Sequence, residues 1–370
     1  LVGFVSVTIA YDKKVKPNGD MIEYRRDNLL DDDAEALVNT VNTVGVMGKG
    51  IALQFKKRFP ENFKAYKRAC EKEEVEVGKM FTFFVGNLNN PRYIINFPTK
   101  EHWRGKSRIE YVEDGLEDLV REVEERGIKS IAIPPLGCGI GSLEWEEVRP
   151  LIEKAVARMS GGEAHVYEPG SVPEPKAMKV GTPKPHLTTA RAAMLKLIDL
   201  YGVARYHIGR LEAQKLAYFA QAAGEESFGL DFTEDKFGPF DKKLNFLLEI
   251  LEGHYIVGYG DHSQGSQINL LDGASEAAEE FLRTHPESME HIECVAALIQ
   301  DFEIPYGMEL LSTVHWAATQ KGANSPEEAA QTVRNWTPRK GDLFNERHVR
   351  VAWERLEEEG WLPSESLVHN

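Results

Sequence analysis

Between Met21 and about Tyr167 the chain alternates short β-rich runs with amphipathic helices, and a proline-rich stretch then ends the alternation. The candidate strands are MIEYR (21–25), EALVNT (35–40), MFTFFV (80–85), RYIINF (92–97), SIAIPP (130–135) and EAHVYE (163–168). Candidate helices lie between them at 48–59, 61–73, 107–127 and 144–159. In the third helix, Ile109, Val112, Leu116, Leu119, Val120 and Val123 form one stripe at helical spacing. Strands interleaved with helices through short links predict an α/β fold, with a mixed sheet sandwiched by helices.

The stretch EPGSVPEPKAMKVGTPKPHLT (168–188) holds five prolines and no apolar periodicity. It predicts a semi-rigid linker over 169–188. From 189 to 370 the pattern becomes mainly helical, interrupted by a short β-like run, HYIVGYG (254–260). In residues 1–20 a short apolar part precedes a basic cluster, the reverse of a secretory signal. The expected organisation is therefore a dispensable extension (1–20), an α/β domain (21–168), a linker (169–188) and an acidic helical domain (189–370).

Charge separates the two halves. Residues 1–185 carry 28 Lys+Arg against 29 Asp+Glu, whereas residues 186–370 carry 16 against 30. An acidic half repels nucleic acid and attracts a basic DNA-binding groove, although solubility alone explains many acidic surfaces. Three scattered cysteines, Cys70, Cys138 and Cys294, point to a reducing cytoplasm and lack zinc-site spacing. No apolar run approaches the length of a membrane span, so neither a metal nor a membrane partner is expected.

The chemistry is concentrated in the first half. The strand ending near Asn39 runs into NTVNTVGVMGKGIALQF, where Gly45, Gly48 and Gly50 open a helix. A second loop, PPLGCGIGSLEW, places Gly137, Gly139 and Gly141 before another helix. Backbone amides free of Cβ atoms approach a phosphate closely at such helix starts, so the two loops together suit a diphosphate. Lys49 lies between Gly48 and Gly50 of the first loop and Ile51 follows it, and Cys138 and Ile140 lie inside the second. Neither loop is a Walker A motif or a dinucleotide fingerprint. No histidine is placed by sequence to activate Cys138, which reads as a small loop residue. Asn39 suits buried backbone groups, and Asn42, at the loop entrance, suits either a ligand hydroxyl or a structural role. In INFPTKEHWRGKS (95–107), Lys100 stands at the mouth of an apolar strand just after Pro98, which fixes the chain. Most lysines in such a place are solvated surface charges. His102 and Trp103 follow at the rim, where Trp103 suits either base stacking or core packing.

The Val-Asn-x-x-Asn strand end and the two glycine loops together resemble macrodomains, the ADP-ribose-binding α/β fold. In that family a Gly-Asp-Ile-Thr-like opening lies eleven residues before the strand-end asparagine. Here DNLL (27–30) occupies that place, so Asn28 falls where an adenine-contacting aspartate stands, with Leu29 beside it. VNTVNTVGVMGKGIALQFKKRFP, NFPTKEHWR and PPLGCGIGSLEW are similar to the lysine-bearing macrodomain branch of terminal ADP-ribose glycohydrolases and DarG antitoxins. The resemblance covers 21–168. It implies ADP-ribose as substrate moiety instead of a cofactor, with Asn28, Leu29, Asn39 and the two loops as its binding residues. It also implies catalysis by Lys100 with Asn42, and removal of ADP-ribose from thymine bases of single-stranded DNA. In that family the C-terminal region binds a DarT-like ADP-ribosyltransferase toxin by DNA mimicry. Related human-type enzymes carry an aspartate in the second loop, whereas this chain reads Gly139-Ile140-Gly141. The role of Lys100, as nucleophile or as acid, therefore stays open. A non-catalytic ADP-ribose reader and a hydrolase of protein-linked ADP-ribose are the alternatives. LEAQKLAYFAQ with FGPF also resembles a helical domain of other antitoxins.

Overall fold

The computed structural model describes residues 13–15, 21–48, 50–86, 89–139, 141–160, 162–170, 179–203, 208–259 and 267–363. The chain divides into two compact units, Leu1–Pro183 and Lys184–Asn370.

Among its described residues the first unit has seven strands: β1 (Lys13–Val15), β2 (Met21–Arg25), β3 (Ala36–Asn42), β4 (Phe81–Phe84), β5 (Tyr93–Lys100), β6 (Ser130–Ile133) and β7 (Glu163–Tyr167). They lie in the order β1-β2-β7-β6-β3-β5-β4. The five central strands are parallel, and the edge strands β1 and β4 run antiparallel to their neighbours. The helices are α1 (Gly50–Arg58), α2 (Pro60–Glu71), α3 (Ile109–Arg126) and α4 (Trp145–Val156).

Alternation along the strands feeds a separate apolar layer on each face of the sheet. Ala36, Val38, Ile95 and Phe97 pack with Val112, Leu116, Leu119, Val148 and Ile152 of α3 and α4. Leu37 and Ile94 pack instead with Phe55 of α1, and Val41 with Tyr66 and Ala69 of α2. This is the expected helix–sheet–helix sandwich. Gly115 lies within α3, where a Cβ would come 2.3 Å from the Phe97 ring.

Two boundaries differ from the sequence reading. Lys13–Val15, inside the predicted extension, pairs with β2 from Lys13↔Glu23 to Val15↔Met21. A three-residue edge strand is too short to show a period of two. The rest of 1–20 lies outside the described residues, as does 171–178 of the linker. Strand β5 also continues through Pro98 to Lys100, past its predicted end at Phe97. It does so because β4 pairs only with residues 93–96, so the missing N–H of Pro98 faces no strand on that side.

The second unit is mainly helical, from α5 (Thr189–Val203) and α6 (Arg210–Ala222) to a helix at Glu346–Glu358, around one apolar core. The β-like run at 254–260 holds a two-residue strand, Ile256–Val257, that pairs with Asn269–Leu270. Its core also contains charge. The Nζ of Lys215 donates to the Pro239 carbonyl at 2.7 Å, which ties LEAQKLAYFAQ to FGPF. Lys340 donates to Glu309 at 2.8 Å and to Thr313 at 2.9 Å, and Arg339 clasps the same carboxylate through both oxygens.

Candidate functional site

Strands β6, β3 and β5 are neighbours and parallel, so their C-terminal ends share one edge of the sheet. The first glycine loop leaves β3, the second leaves β6, and Lys100 ends β5. Parallel topology therefore assembles three segments marked by Gly45, Lys100 and Gly137, 55 and 37 residues apart in the chain, in the crevice where open α/β sheets bind ligands.

The β3–β5 ladder pairs Val41 with Pro98, shifts register, and then pairs Asn42 with Lys100. A bulge at a strand end re-aims the side chains beyond it. Lys100 is half-buried. Just past it, the Glu101 carbonyl accepts from Thr43 N at 3.2 Å and Thr43 Oγ1 at 2.8 Å, which ties the lysine segment to the first loop.

Asn42 organises that loop. Its Oδ1 accepts from the amides of Val44 at 3.0 Å and Val46 at 3.3 Å, and its Nδ2 donates to the Val46 carbonyl at 2.6 Å. The hydroxyl of Tyr66 donates to the Asn42 carbonyl oxygen. Burial pushes the Tyr66 phenol well above its ordinary range, so it remains a donor. Gly45 takes a φ of +77° in this turn, a value that other residues rarely adopt. Gly48 is followed by α1, which begins at Gly50 and Ile51. Lys49 lies outside the described residues.

Asn39 is not on the surface of the crevice. It is fully buried and donates to Asn96 Oδ1 at 2.9 Å, and Asn96 donates to Asn62 at 2.8 Å. This amide chain joins β3, β5 and α2 beneath the first loop. Sequence reasoning missed Asn96 and Asn62, because their pairing is visible only across strands.

The second loop is closed by its own backbone. Leu143 N bonds Gly137 O at 3.0 Å, and Ser142 N bonds Gly139 O at 3.1 Å. Ser107 N donates to Gly141 O at 3.0 Å, joining this loop to the far end of the lysine segment. A Cβ on Gly141 would meet Ser107 Oγ at 2.2 Å and Gly137 O at 2.3 Å. A Cβ on Gly139 would meet nothing within 4 Å, and one on Gly48 only Val46, at 3.7 Å. These two glycines border open space. Ile140 lies outside the described residues. The Cys138 thiol is pushed up to about 11, by burial first and then by Glu144 and Glu146. A thiol held protonated is a poor nucleophile.

Asn28 and Leu29 follow β2 at the same edge of the sheet. Asn28 Oδ1 caps a short 3-10 turn by accepting from Leu30 N at 3.1 Å, and Leu29 is buried in the core. Beside them is a cluster that sequence reasoning did not find. Asp32 Oδ1 bonds His165 Nδ1 at 2.8 Å and Ala34 N at 2.8 Å, and Oδ2 bonds Arg25 at 2.8 Å and Tyr167 at 2.7 Å. Burial alone would raise the Asp32 carboxyl, but the bonds from His165 and Tyr167 outweigh it and hold the group below the usual carboxylate range. Asp32, Asp33 and His165 are grouped closely enough for a metal ion. The oxygens of Asp32 are already filled, one of them by a guanidinium, which opposes a cation there. In the run DDD nothing distinguishes the buried aspartate from its solvated neighbours.

A crevice of two glycine loops at the ends of adjacent parallel strands defines a macrodomain, and the Macro domain family model matches residues 38–152. A DNA ADP-ribosyl glycohydrolase of Thermus aquaticus is 49% identical over 345 residues, 93% of this chain and 95% of that protein. The enzyme of the same name from Mycobacterium tuberculosis is 41% identical over 352 residues, 91% of this chain and 99% of its own. A DNA ADP-ribosyl transferase–DNA ADP-ribosyl glycohydrolase fusion protein of Thermosipho africanus is 38% identical over 34% of this chain and 36% of its own. The chain belongs to the DNA ADP-ribosyl glycohydrolase family. Among the described residues no helix is long and apolar enough to cross a membrane.

Proposed function

We propose that this protein hydrolyses the bond between ADP-ribose and a thymine base of single-stranded DNA, and that its acidic half binds the transferase that makes the modification. The pairing of Lys100 with Asn42 at the mouth of both glycine loops carries the first part of the reading. The diphosphate would lie against the amides of the two loops, with Gly48 and Gly139 giving close approach. Asn42 would hold the first loop in its binding shape. The distal ribose would then sit beside Lys100.

Cleavage of the C1″–nitrogen bond builds positive charge on C1″ and negative charge on the thymine nitrogen. A protonated Lys100 would give its proton to that nitrogen as the C1″–N bond breaks, water would add to C1″, and the neutral amine would take up the proton that the water releases. This role fits better than a lysine adduct, because neither Gly139 nor Gly141 offers a carboxylate to resolve one. The same strand-end site would accept ADP-ribose on other linkages only if the rim admitted them.

The second part rests on charge and on kinship. Residues 186–370 carry nearly two acidic groups per basic one, and a DNA-binding transferase presents a basic groove. A relative that fuses transferase and glycohydrolase in one polypeptide supports such a pairing. The site reading is tested by incubating the protein with an ADP-ribosylated thymidine oligonucleotide beside a protein ADP-ribosylated on aspartate or glutamate. Release of ADP-ribose from the oligonucleotide is expected; release from the protein alone would overturn the DNA assignment.

A further inference from the structure

The turn after β5 carries features that bond cleavage itself does not need. Residues 101–106 and Arg108 are all exposed, and Trp103 keeps 40% of its surface in solvent. That settles one sequence-level ambiguity, since Trp103 is not a core residue. The His102 ring lies 5.4 Å from the indole, and the Arg104 guanidinium lies over it at 4.5 Å. The turn is held firmly by its backbone. Gly105 N bonds His102 O at 2.9 Å, and Arg104 N bonds His102 Nδ1 at 3.2 Å. Its ends are fastened to the two glycine loops, through Thr43 to Glu101 and through Ser107 to Gly141.

The charge of this segment is one-sided. Lys100, Arg104, Lys106 and Arg108 fall within nine residues that contain one acid, Glu101, whose carboxylate accepts from Tyr111 at 2.7 Å. On the other side of Thr43, Val44 and Val46 are 47% and 38% exposed. The rim beside Lys100 therefore combines an exposed indole, two exposed aliphatic side chains and a row of cations. An acidic peptide would answer the cations and leave the indole in water. A single strand of nucleic acid answers both, with bases for the aromatic face and phosphates for the charges.

We propose that the 102–108 turn is a platform for the single strand flanking the modified thymine. Trp103 stacks on an adjacent base, and Arg104, Lys106 and Arg108 hold the neighbouring phosphates. The proposal rests on the DNA-hydrolase reading and names how that substrate is gripped outside the ADP-ribose.

The test compares two substrates for the full chain: an ADP-ribosylated thymidine mononucleotide and an ADP-ribosylated thymidine within a ten-nucleotide single strand. Trp103→Ala should lower kcat/KM on the strand roughly tenfold, a typical loss for one stacked base, and the double variant Arg104→Ala/Lys106→Ala should lower it roughly tenfold at low salt through two lost phosphate contacts. The ratio of kcat/KM on the strand to that on the mononucleotide should fall by nearly the same factor. In the double variant the slope of log affinity against log salt should also shrink by roughly 1.4, about 0.7 for each of two phosphate contacts on a single strand. Equal losses on both substrates, or none on either, would overturn the platform. If the wild-type chain cleaves neither substrate, the hydrolase reading fails instead. The platform is then decided by anisotropy with an unmodified labelled strand, where binding that the variants leave unchanged refutes it.

Discussion

Asn42 and Lys100 are Cα partners across the β3–β5 ladder, one step past a shift in register. The amide of Asn42 is spent on the loop backbone, so the two residues have different tasks at one place. Asn42 fixes the shape of the first loop, and Lys100 ends the neighbouring strand. Lys100→Ala should therefore preserve ADP-ribose affinity and lower hydrolysis by roughly 10²-fold, the usual scale for a positioned acid–base group. Calorimetry and single-turnover rates measure the two quantities separately. Near-wild-type turnover would remove Lys100 from the mechanism.

The glycines divide by what surrounds them. Gly48→Val and Gly139→Val place side chains in open space where amides would meet a diphosphate, so binding should weaken with the fold intact. Gly141→Ala has no such freedom, since its Cβ collides with Ser107 Oγ and a backbone carbonyl. It should destabilise the first unit by roughly 1–3 kcal/mol, the cost of overpacking. Melting curves beside ADP-ribose titrations distinguish the classes, and unchanged affinity in both valine variants would refute the cradle.

Cys138 should be chemically quiet despite its place in the second loop. With the thiol pushed up to about 11, little thiolate exists at neutral pH. Iodoacetamide at pH 7.5 should modify the exposed Cys294 first, and Cys138→Ala should retain ADP-ribose hydrolysis within a few-fold. Rapid inactivation that tracks Cys138 labelling would contradict this.

Lys215 makes the stability of the second unit depend on pH. Burial, reinforced by Lys340, lowers its ammonium to about 7 in the folded protein. The unfolded chain, with an ordinary lysine near 10.4, binds the proton more tightly between those values. Stability should therefore rise as pH increases from about 7 towards 10. Hydrogen-exchange protection in α6 should follow that rise, and Lys215→Met should flatten it. An unaltered slope in the variant would assign the effect to other groups.

The two units should function apart. Residues 13–183 and a shorter piece beginning at Met21 should both hydrolyse ADP-ribosylated thymidine DNA, the shorter one melting lower for want of β1. Residues 184–370 should lack that activity and bind the transferase, with affinity that weakens as salt rises and competes with single-stranded DNA. Binding insensitive to both would leave the acidic surface as a solubility feature.

Periodicity and punctuation determined a great deal here. The alternation of β-rich runs with striped helices is local, so the sequence alone determined the sandwich. Lys100, which reads as the mouth of an apolar strand, ends β5, although the sequence predicts that the strand stops at Phe97. Tertiary structure decided what depends on contacts between distant segments. Asn39 is readable both as a partner of buried groups and, by resemblance, as a ligand contact; it is buried and its amide donates to Asn96, because β3 and β5 lie side by side. The middle residue of DDD is buried because His165, Tyr167 and Arg25 converge on it from β7 and β2. A sequence records which side chains alternate along a strand; strand order decides which of them meet. Lys100 and Asn42 are 58 residues apart in the chain and became partners only when parallel pairing put β3 beside β5.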